Sequence, residues 1–501
     1  MTGFIDARTL DAATVLEPDI AIIGGGPAGI CLALALADTK LKIALLEAGG
    51  LNFDPKIQKM YAGAESGVHY TALDAGRLRF LGGSSNHWGG YCRPLDETDF
   101  VARDWVPHSG WPITRKALEP YFPKAQALCE AGPWIYDKGN EAQGLLPLGK
   151  GGLYTSWFQF SKTRDSVLPT YFGHRYEQDL KTAKNVTPYV YANVTGIRLN
   201  NDGKTVERLD MATLTDNGGT GNHFTVKPRM VVLAAGAMEN ARLLLASNDV
   251  MSGGIGNQND LVGRFFADHP IPRDVATMVA FGGSLAACYG STVTLANGAI
   301  MRAAFSPTAA FLKSGNVAGS LTTVENAVDL DELGKAAVIT TAIALGVDAS
   351  NAKAYSLGCG MELAPDPERR LTLTGEKDAL GLPRLKLEMR IADSDFTLYR
   401  QTLAELGRQL LASKAGILRL NYSHREQWLK AMDWGNHHMG TTRMSDDPKQ
   451  GVVDADSLVH GVSNLFVAGS SVFPTYGASN PTLNLIALTL RLADHLKKVM
   501  L

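Results

Sequence analysis

The sequence predicts an α/β fold, in which parallel strands alternate with helices across glycine-rich turns. Three observations carry this. Residues 19–47 set out an apolar strand, a glycine turn, a helix and a second strand in that order. Residues 230–245 and 464–471 each repeat an apolar strand that stops at Ala-Gly. Residues 271–305 and 361–390 alternate with the period of strands rather than helices.

Size and composition permit such a fold and exclude several others. A chain of 501 residues can form two or three lobes, and 45% hydrophobic with 20% charged residues is ordinary for a globular protein. A formal net charge of −2 argues against a nucleic-acid surface or a polybasic membrane anchor. No apolar run approaches the roughly 20 residues that span a bilayer. The first residues, MTGFIDARTLDAATVLEPDI, lack a basic and an apolar signal region, so a cytoplasmic location is expected. Cys31, Cys92, Cys129, Cys288 and Cys359 are scattered and odd in number, which fits reduced thiols and neither disulfides nor a metal site.

The run DIAIIGGGPAGICLALALADTKLKIALLE (19–47) carries the first chemistry. Ile20 to Ile23 reads as a buried strand, and Lys42 to Leu46 as a second one ending in the acid Glu47. Between them stand Gly24, Gly26 and Gly29 and a helix to about Asp38. In a Rossmann-like dinucleotide site each part has a task. Gly24 makes the turn, Gly26 admits the pyrophosphate, Gly29 lets helix and strand close, and Glu47 accepts from the adenosine ribose. The phosphates rest on the helix N-terminus, whose free N–H groups favour anions. The fingerprint alone does not separate NAD from FAD. The strands ending at Ala235-Gly236 and Ala468-Gly469 suit FAD better, because they close a sheet around an extended, resident cofactor.

RFLGGSSNHWGG (79–90), GNHHMGTTRM (435–444) and VVDADSLVHGVSNLFVAGSSVFPTYGASNPT (452–482) resemble the glucose-methanol-choline (GMC) oxidoreductases. Within that family the chain is most similar to the pyranose-oxidase and glycoside-oxidising branch. The resemblance covers both ends of the chain and the 190–270 region, with a looser match at 361–390. It implies an FAD-binding domain over 1–270 and 431–501, with insertions about 100–185. A substrate-binding domain on a mostly antiparallel sheet is implied over 271–430. It also implies oxidation of an alcohol, with hydride passing to the flavin. The expected substrate is a secondary hydroxyl of a sugar or glycoside. An aryl or other alcohol dehydrogenase, or a non-redox flavin lyase, are the alternatives.

The resemblance assigns roles to residues as well. Counting back from Gly440 makes His437 the base, while its neighbour His438 turns away into a local hydrogen bond. The partner, His or Asn among family members, falls at Asn480, whose amide can donate to the substrate oxygen but cannot act as a base. Asn480 also reads as a helix cap, with Pro481 and Thr482 opening the helix. His87 is either bonded to the flavin or packed beside it. Arg79, Gly83, Asn86, Trp88, Gly89, Val194, Ala235, Gly469 and Ser470 are expected along the cofactor. Tyr476, Phe473, Trp434 and Trp88 are near enough to stack on a substrate ring. The chain lacks CxxC and haem motifs, so electrons leave to oxygen, a quinone or another protein.

Overall fold

The computed structural model describes residues 3–136, 145–148, 151–162 and 169–501. Six parallel strands form its first sheet, in the order Ile5–Asp6, Val186–Val190, Ile43–Leu46, Ile20–Ile23, Met230–Leu233, Leu465–Val467. The four inner residues Ile20–Ile23 are at most 4% exposed, as a strand covered on both faces requires. Helix Pro27–Ala35 follows directly from the glycine turn and packs against the C-terminal helix Pro481–Met500. The three strand ends foreseen from apolar runs therefore lie side by side, with Gly24, Gly236 and Gly469 at their tips. All three glycines hold positive φ (+109°, +84° and +105°), which other residues rarely adopt.

The second large sheet is antiparallel. It runs Gly416–Leu420, Ala276–Ala280, Lys353–Met361, Ser320–Val328, Ile300–Pro307, Leu153–Phe160, Tyr91–Cys92. Its strands are not confined to 271–430. Leu153–Phe160 lies inside the stretch expected as an insertion, yet pairs along its length with Ile300–Pro307, from Met301 opposite Gln159 to Pro307 opposite Leu153. Helix Asp393–Ala412 packs over this sheet. The strands Arg370–Lys377 and Pro383–Met389 make a hairpin beside Ala64–Gly67, forming a small third sheet against helix Ala237–Ala246. A fourth sheet orders Val15–Leu16, Thr220–Val226, Val206–Leu214 and Asn193–Leu199.

Two isolated bridges fix the junction between the sheets: Ala267 opposite Met439, and Pro270 opposite Trp434. They bring the segment Gly263–Pro270 alongside the His437–His438 turn. Among the described residues no helix is long and apolar enough to cross a membrane, and no group of three acids, histidines or cysteines could hold a metal ion.

Candidate active site

A large cavity opens at the ends of the parallel strands and is walled by several distant segments. Gly24, Gly25, Gly26, Glu47, Gly83, Ala235, Gly469 and Ser470 form part of the wall. His87, Trp88, Gly89, Val194, His437, His438, Asn480, Pro481 and Thr482 complete much of the rest. Of the residues expected along a cofactor, only Gly29 and Asn86 stay off this wall.

Gly29 acts through packing. A Cβ there would lie 1.8 Å from the Gly24 carbonyl oxygen, so helix Pro27–Ala35 closes on the turn only because the side chain is absent. Gly29→Ala should therefore lower the flavin-to-protein absorbance ratio of the purified protein as well as its thermal midpoint. Gly24 is equally constrained, with a Cβ 2.6 Å from the Ala234 oxygen. Asn86 turns away because the reversal at Gly82 (φ +95°) brings its amide back onto the Leu81 carbonyl at 2.9 Å, where it braces the turn.

The wall suits a phosphate-bearing dinucleotide. A Cβ at Gly26 or Gly236 would meet nothing within 4 Å, so both backbones border open space. Neither Gly26 before Pro27–Ala35 nor Asn480 before Pro481–Met500 caps its helix through a side chain, which leaves first-turn amides available to a ligand. Glu47 receives Gly25 N at 2.7 Å and Gly49 N at 2.8 Å. Burial pushes its carboxyl pKa up, against those two bonds.

Sequence reading missed a buried charge cluster in this wall. Glu239 accepts from Arg77 at 3.0 Å and from Arg79 and Arg242 at 3.4 Å. Arg242 also reaches Asp378 at 2.6 Å. Burial alone would raise the Glu239 pKa, but the three guanidinium groups bring it to about 2. Arg79 Nε has no partner among the described residues, and that buried N–H suits an anionic ligand. Tyr61 lies beneath Arg77 and Arg79, its centroid 3.9 and 4.8 Å from their guanidinium carbons.

Where His437 and Asn480 line the cavity, two imidazoles meet. His437 Nε2 is 3.1 Å from Asn480 Nδ2, and His437 Nδ1 is 2.9 Å from His269 Nδ1. His269 Nε2 is 2.9 Å from the Gly477 carbonyl. Asp268 anchors both histidine backbones: its Oδ1 accepts from His269 N and from His437 N, each at 2.7 Å. Its other oxygen accepts from Tyr70 OH at 2.5 Å. Burial raises the Asp268 pKa to about 7, against those donors. The His437 pKa is held well below the usual imidazole range, first by burial and then by His269 and His438. Asn480 stands at the cap position but spends its side chain on His437, so it is more than a helix cap.

Two expectations are corrected here. The buried Nε2 of His438 finds no partner among the described residues, and the ring packs on Tyr70 and Phe266 at the cavity wall. Among the four aromatics expected near a substrate, only Trp88 lines the cavity. Tyr476 is buried with its hydroxyl on Leu363 N, Trp434 donates to the His69 carbonyl, and Phe473 packs on Trp111. Helical or loop proximity to a motif does not tell which way a ring faces. Tyr61 and Tyr91 take the places on the wall instead.

Comparison with known proteins places this arrangement. A GMC oxidoreductase family model matches residues 365–489, and a pyridine nucleotide-disulphide oxidoreductase model matches residues 18–257. The chain is 26% identical to the fructose dehydrogenase large subunit of Gluconobacter japonicus, over 96% of this chain and 97% of that one. It is 24% identical to a 2-methyl-1,2-propanediol dehydrogenase of Mycolicibacterium austroafricanum, over 96% and 95%. Its fold resembles the crystal structure of pyridoxine 4-oxidase from Mesorbium loti (TM-score 0.58, 19% identity, 96% and 99% covered). These relatives do not resolve a branch, the pyranose-oxidase and glycoside-oxidising one included. The parallel sheet with its glycine turns and the antiparallel sheet make the GMC oxidoreductase fold, and the chain is an FAD-dependent oxidoreductase acting on CH–OH donors.

Proposed function

We propose that the enzyme oxidises a secondary hydroxyl of a sugar or glycoside to a carbonyl, with His437 taking the hydroxyl proton and Asn480 holding the oxygen. One observation carries this reading: the 3.1 Å contact between His437 Nε2 and Asn480 Nδ2 on the cavity wall. FAD, when bound, supplies the hydride acceptor. The residues of 1–270 and 431–501 would hold it, while 271–430, joined by strand Leu153–Phe160, would shape the substrate side.

The chemistry of the pair follows from its donors and acceptors. An alcohol entering between the two side chains can accept from the Asn480 amide and donate to His437. Asn480 has no basic nitrogen, so the proton goes to His437. As the O–H bond breaks and the His437 N–H bond forms, negative charge grows on an oxygen already facing a fixed amide donor. Because the His437 pKa is depressed, the ring is neutral at pH 7 and its lone pair is available to take the hydroxyl proton. Flavin reduction at saturating alcohol should be flat above about pH 6.5, an unperturbed imidazole value, and fall only below it. A rate that halves near or above that pH together with protonation of the His437 ring, followed by nitrogen NMR, contradicts a buried, neutral base.

The sugar reading is supported by the fructose dehydrogenase relative and by Trp88, whose ring on the wall could stack against a sugar face. A small non-sugar alcohol is the second reading, favoured by the propanediol dehydrogenase relative. Anaerobic reduction of the holoenzyme by D-fructose, methyl glycosides, 2-methyl-1,2-propanediol and benzyl alcohol ranks them. The proposal expects the sugars to give the highest rate constant per concentration. Faster reduction by the diol or the aryl alcohol would overturn it. The electron acceptor is oxygen, a quinone or another protein, and oxygen uptake against dye reduction separates these routes.

A further inference from the structure

We infer that His269 sets the proton map of the site, fixing His437 in the one tautomer whose Nε2 is free to accept a proton. The inference rests on His437 being the base, and it assigns work to a residue that no sequence motif marked as functional.

The argument starts from an atom with no choice. The Gly477 carbonyl only accepts, so the His269 Nε2 atom 2.9 Å away must carry hydrogen. Burial brings the His269 pKa to about 4, so the ring is neutral at pH 7 and has one hydrogen. Its Nδ1 therefore presents a lone pair. That lone pair faces His437 Nδ1 at 2.9 Å, and two lone pairs cannot share a hydrogen bond. His437 Nδ1 must be the donor. With its single hydrogen committed there, neutral His437 has a bare Nε2, the atom that meets the Asn480 amide at 3.1 Å. The two ring contacts and the amide contact are thus mutually consistent in one assignment only. In other enzymes the partner of a catalytic imidazole fixes its tautomer in the same way, usually as a carboxylate.

The surroundings hold this chain of bonds in place. Glu362 accepts from Tyr476 N at 3.0 Å and Gly477 N at 3.1 Å, which fixes the carbonyl that starts the chain. Gly477 has φ +53°, and a Cβ there would fall 2.5 Å from an Asp99 carboxylate oxygen, so only glycine fits. Asp268 Oδ1 ties the backbones of both histidines to one point. The Tyr476 ring meets His269 edge-on at 5.0 Å. Gly435 leaves room for the His437 ring, since a Cβ there would lie 2.7 Å from its Nδ1. When His437 accepts a proton, its Nδ1–H still donates to a neutral acceptor, so no ring has to turn over.

Histidine-labelled (15N) holoenzyme tests this without any substrate. Long-range proton–nitrogen spectra distinguish protonated from bare ring nitrogens, and loss of a signal in His437→Gln assigns it. The expected result at pH 7 is a neutral His437 with Nδ1 protonated and Nε2 bare. His269→Asn keeps an acceptor oxygen near the Nδ1 position and should keep that tautomer. His269→Leu removes the acceptor and should populate the Nε2–H form, with flavin reduction by a substrate alcohol slowed ~10–100-fold. In His269→Asn the rate should recover to within about tenfold of wild type, a rescue that a purely packing role would not give. A wild-type His437 protonated at Nε2 overturns the inference whether or not either variant folds, as does a tautomer unchanged in His269→Leu. A holoenzyme that no alcohol reduces, with the tautomer as expected, defeats the alcohol-oxidation reading and leaves the proton map standing.

Discussion

Replacing His437 by alanine is expected to slow anaerobic flavin reduction by ~10²–10⁴-fold while FAD stays bound. Among the described residues the ring is the one basic group hydrogen-bonded to the Asn480 side chain, and its backbone is held by Asp268. Truncation therefore removes the proton acceptor without dismantling the wall. His438→Ala is the control. Its Nε2 reaches no partner among the described residues and its ring packs on Tyr70 and Phe266, so its loss should alter FAD retention more than the rate of reduction. Stopped-flow single turnovers with each variant decide the matter, and a larger rate loss in His438→Ala would reverse the assignment.

Glu362→Ala should be the most damaging change for stability, lowering it by about 3–5 kcal/mol. Both Glu362 and Arg103 side chains are essentially sealed from solvent, at 0% and 1% exposure. The guanidinium donates to both carboxylate oxygens, at 2.9 and 3.1 Å, and the backbone N–H groups of Gly319, Tyr476 and Gly477 donate to them as well. Alanine would leave a buried cation and three amides without partners. Burial tends to raise the Glu362 pKa, but Arg103 and the amides bring it to about 2. The folded value lies below the unfolded one, so this contribution is complete above the ordinary carboxylate range and is lost as pH falls toward 2. Urea unfolding of wild type and variant at pH 7 measures the difference; equal midpoints would show that the pair does not hold the 475–480 loop.

Local patterns made the parallel sheet legible. Ile20–Ile23, Met230–Leu233 and the strand ending at Val467 are short, mostly β-branched or aliphatic apolar runs followed closely by glycine, and their shortness and that glycine mark them as buried strands rather than helix. The juxtaposition of His437 with Asn480 was legible only through family motifs, because they are 43 residues apart and share no local pattern. Asp268 and His269, in GRFFADHP, show no readable partner in the sequence for a different reason. Their meaning depends on the bridge between Ala267 and Met439, a pairing that no local periodicity announces. The Arg77–Glu239 pair is 162 residues apart in sequence and is invisible for the same reason. Leu153–Phe160 falls within the insertion that the resemblance implies over 100–185, and its sheet partner, Ile300–Pro307, lies far along the chain. The aromatic residues failed most openly: Trp434 and Tyr476 are adjacent to motifs, but their rings are locked by hydrogen bonds away from the cavity.

The central claim is that an alcohol gives its hydrogens to this site, the proton to His437 and the hydride to bound FAD. Single-turnover mixing of holoenzyme with the best alcohol of the panel, without oxygen, tests it most directly. The account predicts that the visible flavin band bleaches as the carbonyl product forms, in equal amounts, and that His437→Ala bleaches slowly to the same end point. Conversion of the alcohol while the flavin stays oxidised would contradict it.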